Sequence, residues 1–242
     1  ELIARIQRRL PPAPDWMLVG IGDDAAVVEP ERNRVEVLTV DALVEGIHFD
    51  RAFVPPEAVG HRALAVNLSD VAAMGATPRL ALLSMALPAT LSLDEFDGIV
   101  TGFTALAARH RLHIAGGNLT RSPGPLMLDV TVVGTLKRRQ VLTRRGARPG
   151  DDLYVSGTLG AAAAGLQMLQ STGDRRLRTD DSAIQRYLRP EPRLRLGVLL
   201  ARNRAASACV DLSDGLADGA QQIARASGVG VVVDADALRI DP

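Results

Sequence analysis

The chain has 242 residues, the size of one large or two small domains, and 47% of them are apolar, enough for a buried core and too many for intrinsic disorder. Its 28 basic residues balance 28 acidic ones, so no overall field draws it to nucleic acid or an anionic membrane surface, and its charge chemistry must be local. A single cysteine, Cys209, excludes an internal disulfide and a CxxC zinc site and suits a reducing compartment. No apolar run approaches the roughly 20 residues that span a bilayer, and the first ten residues alternate charged with apolar side chains instead of forming a signal peptide, so a soluble, cytoplasmic protein is expected.

The predicted elements follow in chain order. Leu2, Ile3, Ile6 and Leu10 recur at helical spacing until Pro11, Pro12 and Pro14 stop the helix. After a Gly-Asp-Asp loop, Val35 to Val40 reads as a strand, and Glu57 to Met74 as a helix begun near Pro55-Pro56 and closed by Gly75 and Pro78. Leu80 to Leu87 is a strand and Leu93 to His110 an amphipathic helix. Two further strands, His113 to Ala115 and Leu126 to Leu136, flank a loop from Gly116 to Pro125. The Gly, Pro and charge-rich segment Thr143 to Asp152 places a domain boundary near Pro149, giving an N-terminal α/β domain over 1–148 and an α+β domain over 149–242. In the second, strands are expected at Leu153 to Ser156, Val210 to Leu212 and Val229 to Val233, helices at Leu159 to Gln170 and Leu216 to Ala226, and a polar surface loop at Ser171 to Asp181. Roughly 90 residues are few for a self-sufficient unit of this kind, so the domain is expected to continue past Pro242.

Several chemistries lack their residues. Lys137 is the sole lysine and lies in TLKRRQ, outside any GxxxxGK[ST], which excludes a P-loop. No HExxH, GxSxG or Cys/His metal spacing occurs, which argues against zinc chemistry and nucleophilic hydrolysis. Seven aromatics offer few stacking platforms for single strands. What remains is a scatter of small acidic and glycine clusters: Gly20-Ile-Gly-Asp-Asp24, Thr39-Val-Asp41, Asn67-Leu-Ser-Asp70, Gly116-Gly-Asn118 and Asp211-Leu-Ser-Asp-Gly215. Each taken singly fits a turn or a helix cap. Together they supply oxygen ligands of the kind Mg²⁺ takes when it bridges carboxylates to substrate phosphates.

The two readings divide by residue. Asp23 and Asp24 repel unless a cation or donor compensates them. Asp70 falls in an otherwise apolar helix and needs a partner if buried. Ser213 and Asp214 are natural N-cap residues, so Asp214 is either a cap or a ligand, and Asp211, at a strand end, is the stronger candidate ligand. Gly116-Gly117 suits either a phosphate nest or a turn. His48, beside Ile47 and Phe49, is either a phosphate or proton-transfer partner or a packed side chain, while His61, His110 and His113 read as structural.

The segments GIGDDAAVV, TVDALVEGIHF, ALAVNLSDVAAMGATP, AGGNLTRSPGP and VDLSDGLADG resemble, in this order, those of the thiamine-monophosphate kinase family, within the superfamily that includes aminoimidazole ribonucleotide synthetase. The resemblance implies a two-domain aminoimidazole ribonucleotide synthetase-like fold, α/β plus α+β, whose N-terminal domains form a β-barrel across a homodimer. It implies phosphorylation of thiamine monophosphate by ATP with several Mg²⁺ ions. By motif position the metal ligands would be Asp24, Thr39, Val40, Asp41, Asp70, Asn118, Asp211 and Asp214, with Val40 offering only its carbonyl. Gly117, Asn118, Arg144 and Ser213 would lie against ATP and His48 at the substrate phosphate. Two departures stand out: the family's Gly-Gly-Asp-Thr is here Gly116-Gly-Asn-Leu119, an amide in place of a carboxylate, and its SGGEDYEL-like segment and aromatic tail, which hold the thiamine end, lie beyond Pro242. The alternatives are a non-catalytic nucleotide-binding relative and another ATP-dependent synthetase of the superfamily.

Overall fold

The structure, a computed structural model, describes residues 2–172 and 181–241. Helix α1 (Leu2–Gln7) leads to a two-stranded ribbon of β1 (Met17–Val19) and β2 (Val27–Val28). Then come β3 (Val35–Val44), α2 (Pro56–Ala73), β4 (Thr77–Pro88), α3 (Leu93–Arg109), β5 (His113–Ser122) and β6 (Met127–Leu136). The four long strands form one sheet in the order β3-β6-β4-β5, antiparallel except for the β4–β5 pair, which α3 joins as a crossover.

Period-two alternation gives the sheet two unlike faces. Leu43, Leu83, Met85, Leu128, Val130 and Val132 are buried beneath α2 and α3. The opposite face leaves Leu38, Val40 and Leu82 exposed at 68%, 59% and 38%. Helices α2 and α3 pack backbone to backbone at two glycines: a Cβ on Gly60 would stand 1.9 Å from the Ile99 carbonyl oxygen, and one on Gly102 1.9 Å from that of Glu57. Helix α3 starts on a capping box, in which the Ser92 hydroxyl accepts from the Glu95 N–H and the Glu95 carboxylate accepts from the Ser92 N–H. Replacing Ser92 by Ala should destabilise the protein by about 1 kcal/mol, read from urea unfolding.

Helices α4 (Ala161–Thr172), α5 (Ser182–Leu188), α6 (Leu194–Asn203) and α7 (Leu216–Ser227) make up the second half. Helix α6 lies against α2 so closely that a Cβ on Gly197 would meet the Ala72 carbonyl oxygen at 2.0 Å. The His61 ring donates from Nε2 to the Pro190 carbonyl at 2.9 Å, and one apolar core runs from the sheet through α2 to Leu169, Ile184, Leu188 and Leu194. No helix among the described residues is long and apolar enough to cross a membrane.

Three expectations need correction. Gly116 to Ser122 belong to β5 and are not loop; Gly117 is there because a Cβ would sit 1.8 Å from the Leu83 carbonyl oxygen of β4, so a residue of low strand propensity is selected by close approach. The strand from Val35 runs on to Val44 and so includes Asp41. Among the described residues, 153–156, 210–212 and 229–233 form no strands; the second half has only an isolated bridge between Leu159 and Ile240. Their apolar composition suits a strand, but a strand exists only where a second backbone takes up its hydrogen bonds. Of the polar loop expected at Ser171 to Asp181, residues 173–180 lie outside the described residues; Ser171 and Thr172 end α4, and Asp181 caps α5, its carboxylate accepting from the Ala183 and Ile184 N–H groups.

Candidate active site

The centre of the site is the pair Ser69-Asp70 on the last turn but one of α2. The Thr39 hydroxyl of β3 donates to the Asp70 carboxylate at 2.5 Å, and the Ser69 hydroxyl donates to the Asp211 carboxylate at 2.9 Å. Two adjacent residues of one helix thus join the sheet to the segment before α7, from positions 31 and 142 residues away in sequence.

Four carboxylates act on one another here. Burial first, then the charges of Asp70 and Asp211, raise the Asp41 carboxyl above its ordinary 3.8; Asp214 adds to this and His48 opposes it. Burial likewise raises Asp70 above 3.8, with the Thr39 hydrogen bond opposing, Asp211 adding and Arg144 opposing. Asp70 also lies near the C-terminal end of α2, the negative end of the helix dipole, where a carboxylate is disfavoured. Asp214 caps nothing: the N-cap of α7 is Gly215, and no side chain caps that end, so the capping expected of Ser213 and Asp214 is replaced by a glycine turn.

Arg144 is held on the same side by α7. The Ser227 hydroxyl accepts from the Gly146 and Ala147 N–H groups, each at 3.1 Å, and donates to the Arg144 carbonyl at 3.2 Å. His48 is fixed by a tight turn after β3. Its N–H donates to the Val44 carbonyl at 2.9 Å, and its Nδ1 accepts from the Val44 N–H at 3.0 Å. A ring that accepts at Nδ1 carries its neutral-state proton on Nε2, so His48 presents an Nε2–H donor from an exposed side chain. Glu45 anchors the turn, accepting from Arg51 Nε at 2.7 Å and from the Leu126 N–H at 3.1 Å.

Not every expected residue joins this group. Asp24 is exposed in the β1–β2 loop, its N–H donating to Asp23. Ser213 is exposed just before α7. Asp41 shares a row across the sheet with Val130, Leu83 and Gly117, so Gly117 and Asn118 lie on the far edge, three strand spacings or about 14 Å away. Val40, whose side chain points to the open face, is exposed beside Asp41. Ser69 is not among the residues the motifs single out; the repetition of Leu-Ser-Asp at 68–70 and 212–214 is the one sequence signal that points to it.

The donors gathered here are oxygens, as a hard divalent cation requires. Among the described residues no three His, Cys, Asp or Glu side chains stand close enough to hold a metal by themselves. Mg²⁺ in a phosphoryl-transfer site typically takes one or two protein carboxylates and shares its other positions with waters and substrate phosphates. Mutually repelling, half-buried carboxylates fit such an ion.

An oxygen-rich site lies between an α/β sheet domain and a helical second half, and the domain models that match these two parts place the chain among the AIR synthase related proteins. Residues 22–136 match the model of the AIR synthase related protein N-terminal domain, and 148–242 that of the C-terminal domain. The structure is similar to thiamine-monophosphate kinase from Stenotrophomonas maltophilia, with 43% identity and a TM-score of 0.87 over 99% of this chain and 75% of the other. It also resembles a ThiL structure in complex with AMPPCP and TMP, at 38% identity and a TM-score of 0.75 over 86% of this chain and 65% of the other. Thiamine-monophosphate kinase of Bacillus subtilis is 38% identical over 217 residues, 89% of this chain and 66% of its relative's length. The chain belongs to the thiamine-monophosphate kinase family.

Proposed function

We propose that the protein transfers the γ-phosphoryl group of ATP to thiamine monophosphate, giving thiamine diphosphate. The observation that carries this is the convergence of Asp41, Asp70, Asp211 and Asp214 with His48 and Arg144 in one electrostatic group. A family member's complex with AMPPCP and TMP supports the same pair of substrates.

Two polyanions must meet, so the site's first task is to cancel repulsion and align the acceptor oxygen with the γ-phosphorus. Asp41, Asp70, Asp211 and Asp214, with the Thr39 hydroxyl and the Val40 carbonyl, would hold several Mg²⁺ ions, one or two carboxylates to each, and Asp24, on the exposed β1–β2 loop, is the further ligand that the family resemblance implies. Mg²⁺ held by these residues would supply charge neutralisation for the transferring phosphoryl group. His48 donates Nε2–H to the acceptor phosphate. Arg144, Ser213 and the Gly117 backbone receive ATP. The acceptor phosphate has a second pKa of about 6, so its oxygen is already mostly deprotonated near pH 7 and needs no strong base. Transfer is direct and in line; γ-labelled ATP should leave no label on the protein.

Asn118 cannot share an ion with Asp41 within one chain, because they stand on opposite edges of the sheet. A homodimer resolves this. A second copy set against the open face covers Leu38, Val40 and Leu82 and brings the β5 edge of one sheet beside the β3 edge of the other, closing a barrel. The domain boundary at 148/149 and a cytoplasmic setting complete the reading.

The decisive experiment assays the intact protein with ATP and thiamine monophosphate, alongside Asn118→Asp. Mg²⁺-dependent thiamine diphosphate formation is expected from the native protein, rising in Asn118→Asp as the lost charge returns. Activity in neither would sink the assignment and favour a non-catalytic relative or a sister synthetase.

A further inference from the structure

Arg62, on α2, is a largely buried cation whose partners are carbonyls and a ring. Its Nη1 donates to the Tyr187 carbonyl, its Nη2 donates to the His48 carbonyl at 3.3 Å, and its Cζ lies 4.3 Å from the centroid of the Tyr187 ring. Nε is buried without a partner, and among the described residues no carboxylate forms an ion pair with Arg62. Burying a guanidinium on such terms is costly. Its partners show what the cost secures. Tyr187 lies in the last turn of α5, where unpaired carbonyls and the helix dipole favour a cation, and the residue is buried. His48 ends the turn that presents Nε2–H. One side chain therefore links a helix of the second half to the backbone of the turn that carries the acceptor-phosphate donor.

We propose that Arg62 is the positioning residue for His48, so that the acceptor-phosphate site is geometrically correct only while α5 is docked on α2. The inference rests on the reading of His48 as a donor to the acceptor phosphate. Arg62 does not touch substrate; it fixes the His48 carbonyl, and with it the turn in which Val44 N–H holds Nδ1.

The test uses Arg62→Met, which keeps most of the apolar stem and removes every donor. The KM for thiamine monophosphate should rise about 10-fold, as expected when a hydrogen bond that holds the acceptor phosphate is lost, while the KM for ATP stays within about twofold. Arg62→Lys should recover part of the loss. In a His48→Ala background, Arg62→Met should add nothing, since the two act as one unit. An unchanged acceptor KM, an equal rise in both KM values, or full additivity with His48→Ala would overturn the proposal. If Arg62→Met does not fold, Arg62→Gln carries the same measurements. Should His48→Ala alone leave the acceptor KM unmoved, the reading of His48 fails. Ring ¹⁵N NMR then decides the part played by Arg62: loss of the single Nε2–H tautomer in the variant supports positioning, and an unaltered ring refutes it.

Discussion

Replacing Asp70 by Asn should lower kcat/KM by about 10³-fold at ordinary Mg²⁺ and, in the same protein kept free of metal, raise stability by about 0.5–1 kcal/mol at pH 7. The two effects have one origin. Asp70 is half-buried near the negative end of α2 and close to Asp211, so its charge is unfavourable until a cation arrives. Asn keeps an acceptor for the Thr39 hydroxyl and removes that charge. The pH dependence has a definite sign. The folded carboxyls of Asp41 and Asp70 titrate above 3.8, so the native state holds protons that the unfolded chain has already released. The contribution of these groups to stability therefore falls as pH rises from about 3.8 through their raised folded values, and it stays unfavourable at neutral pH. Urea unfolding with EDTA from pH 4 to 7 should show this slope in the native protein and a shallower one in Asp70→Asn. Near-normal turnover in both Asp41→Ala and Asp70→Ala would remove these residues from the metal site.

Gly102→Ala should cost about 3 kcal/mol and lower Tm by about 10 °C. A Cβ there would lie 1.9 Å from the Glu57 carbonyl oxygen and 2.7 Å from its carbonyl carbon, and helix backbone cannot move aside as a side chain tip can. Helices α2 and α3 must separate. Because α2 carries Ser69 and Asp70, activity should fall further than the loss of folded protein explains, as the Thr39 and Asp211 contacts lengthen. Gly124→Ala, whose nearest neighbour would be the Ser122 hydroxyl at 3.9 Å, is the control and should change stability by less than about 0.5 kcal/mol. Calorimetry on the two variants separates the cases; equal Tm values would refute the close-packing account.

Much of the first half is legible in the sequence because its signals are local. Apolar spacing marks α2 and α3, proline and serine mark their starts, and β-branched runs mark β3 and β6. The family motifs name the candidate site residues for the same reason. What fails are inferences that need a neighbour. Gly116-Gly-Asn118 looks like a turn until β4 lies against it. The apolar runs at 210–212 and 229–233 look like strands but meet no ladder. Ser213 and Asp214 look like caps, yet Gly215 takes the position.

The chain's own order of residues determines which side chains are chemically able to act: carboxylates for a hard cation, one histidine in a glycine turn, no thiol pair and no P-loop lysine. Only the folded arrangement decides which of them meet. Asp41, Asp70 and Asp211 come together because α2 packs on the sheet and carries the second half with it, whereas Asn118, a few strands away, is set apart from Asp41. The reason is physical: propensity and capping act over a few residues, but the repulsion that raises a carboxyl's pKa, the close approach that demands a glycine, and the pairing that makes a strand all depend on groups distant in sequence and fixed only by packing.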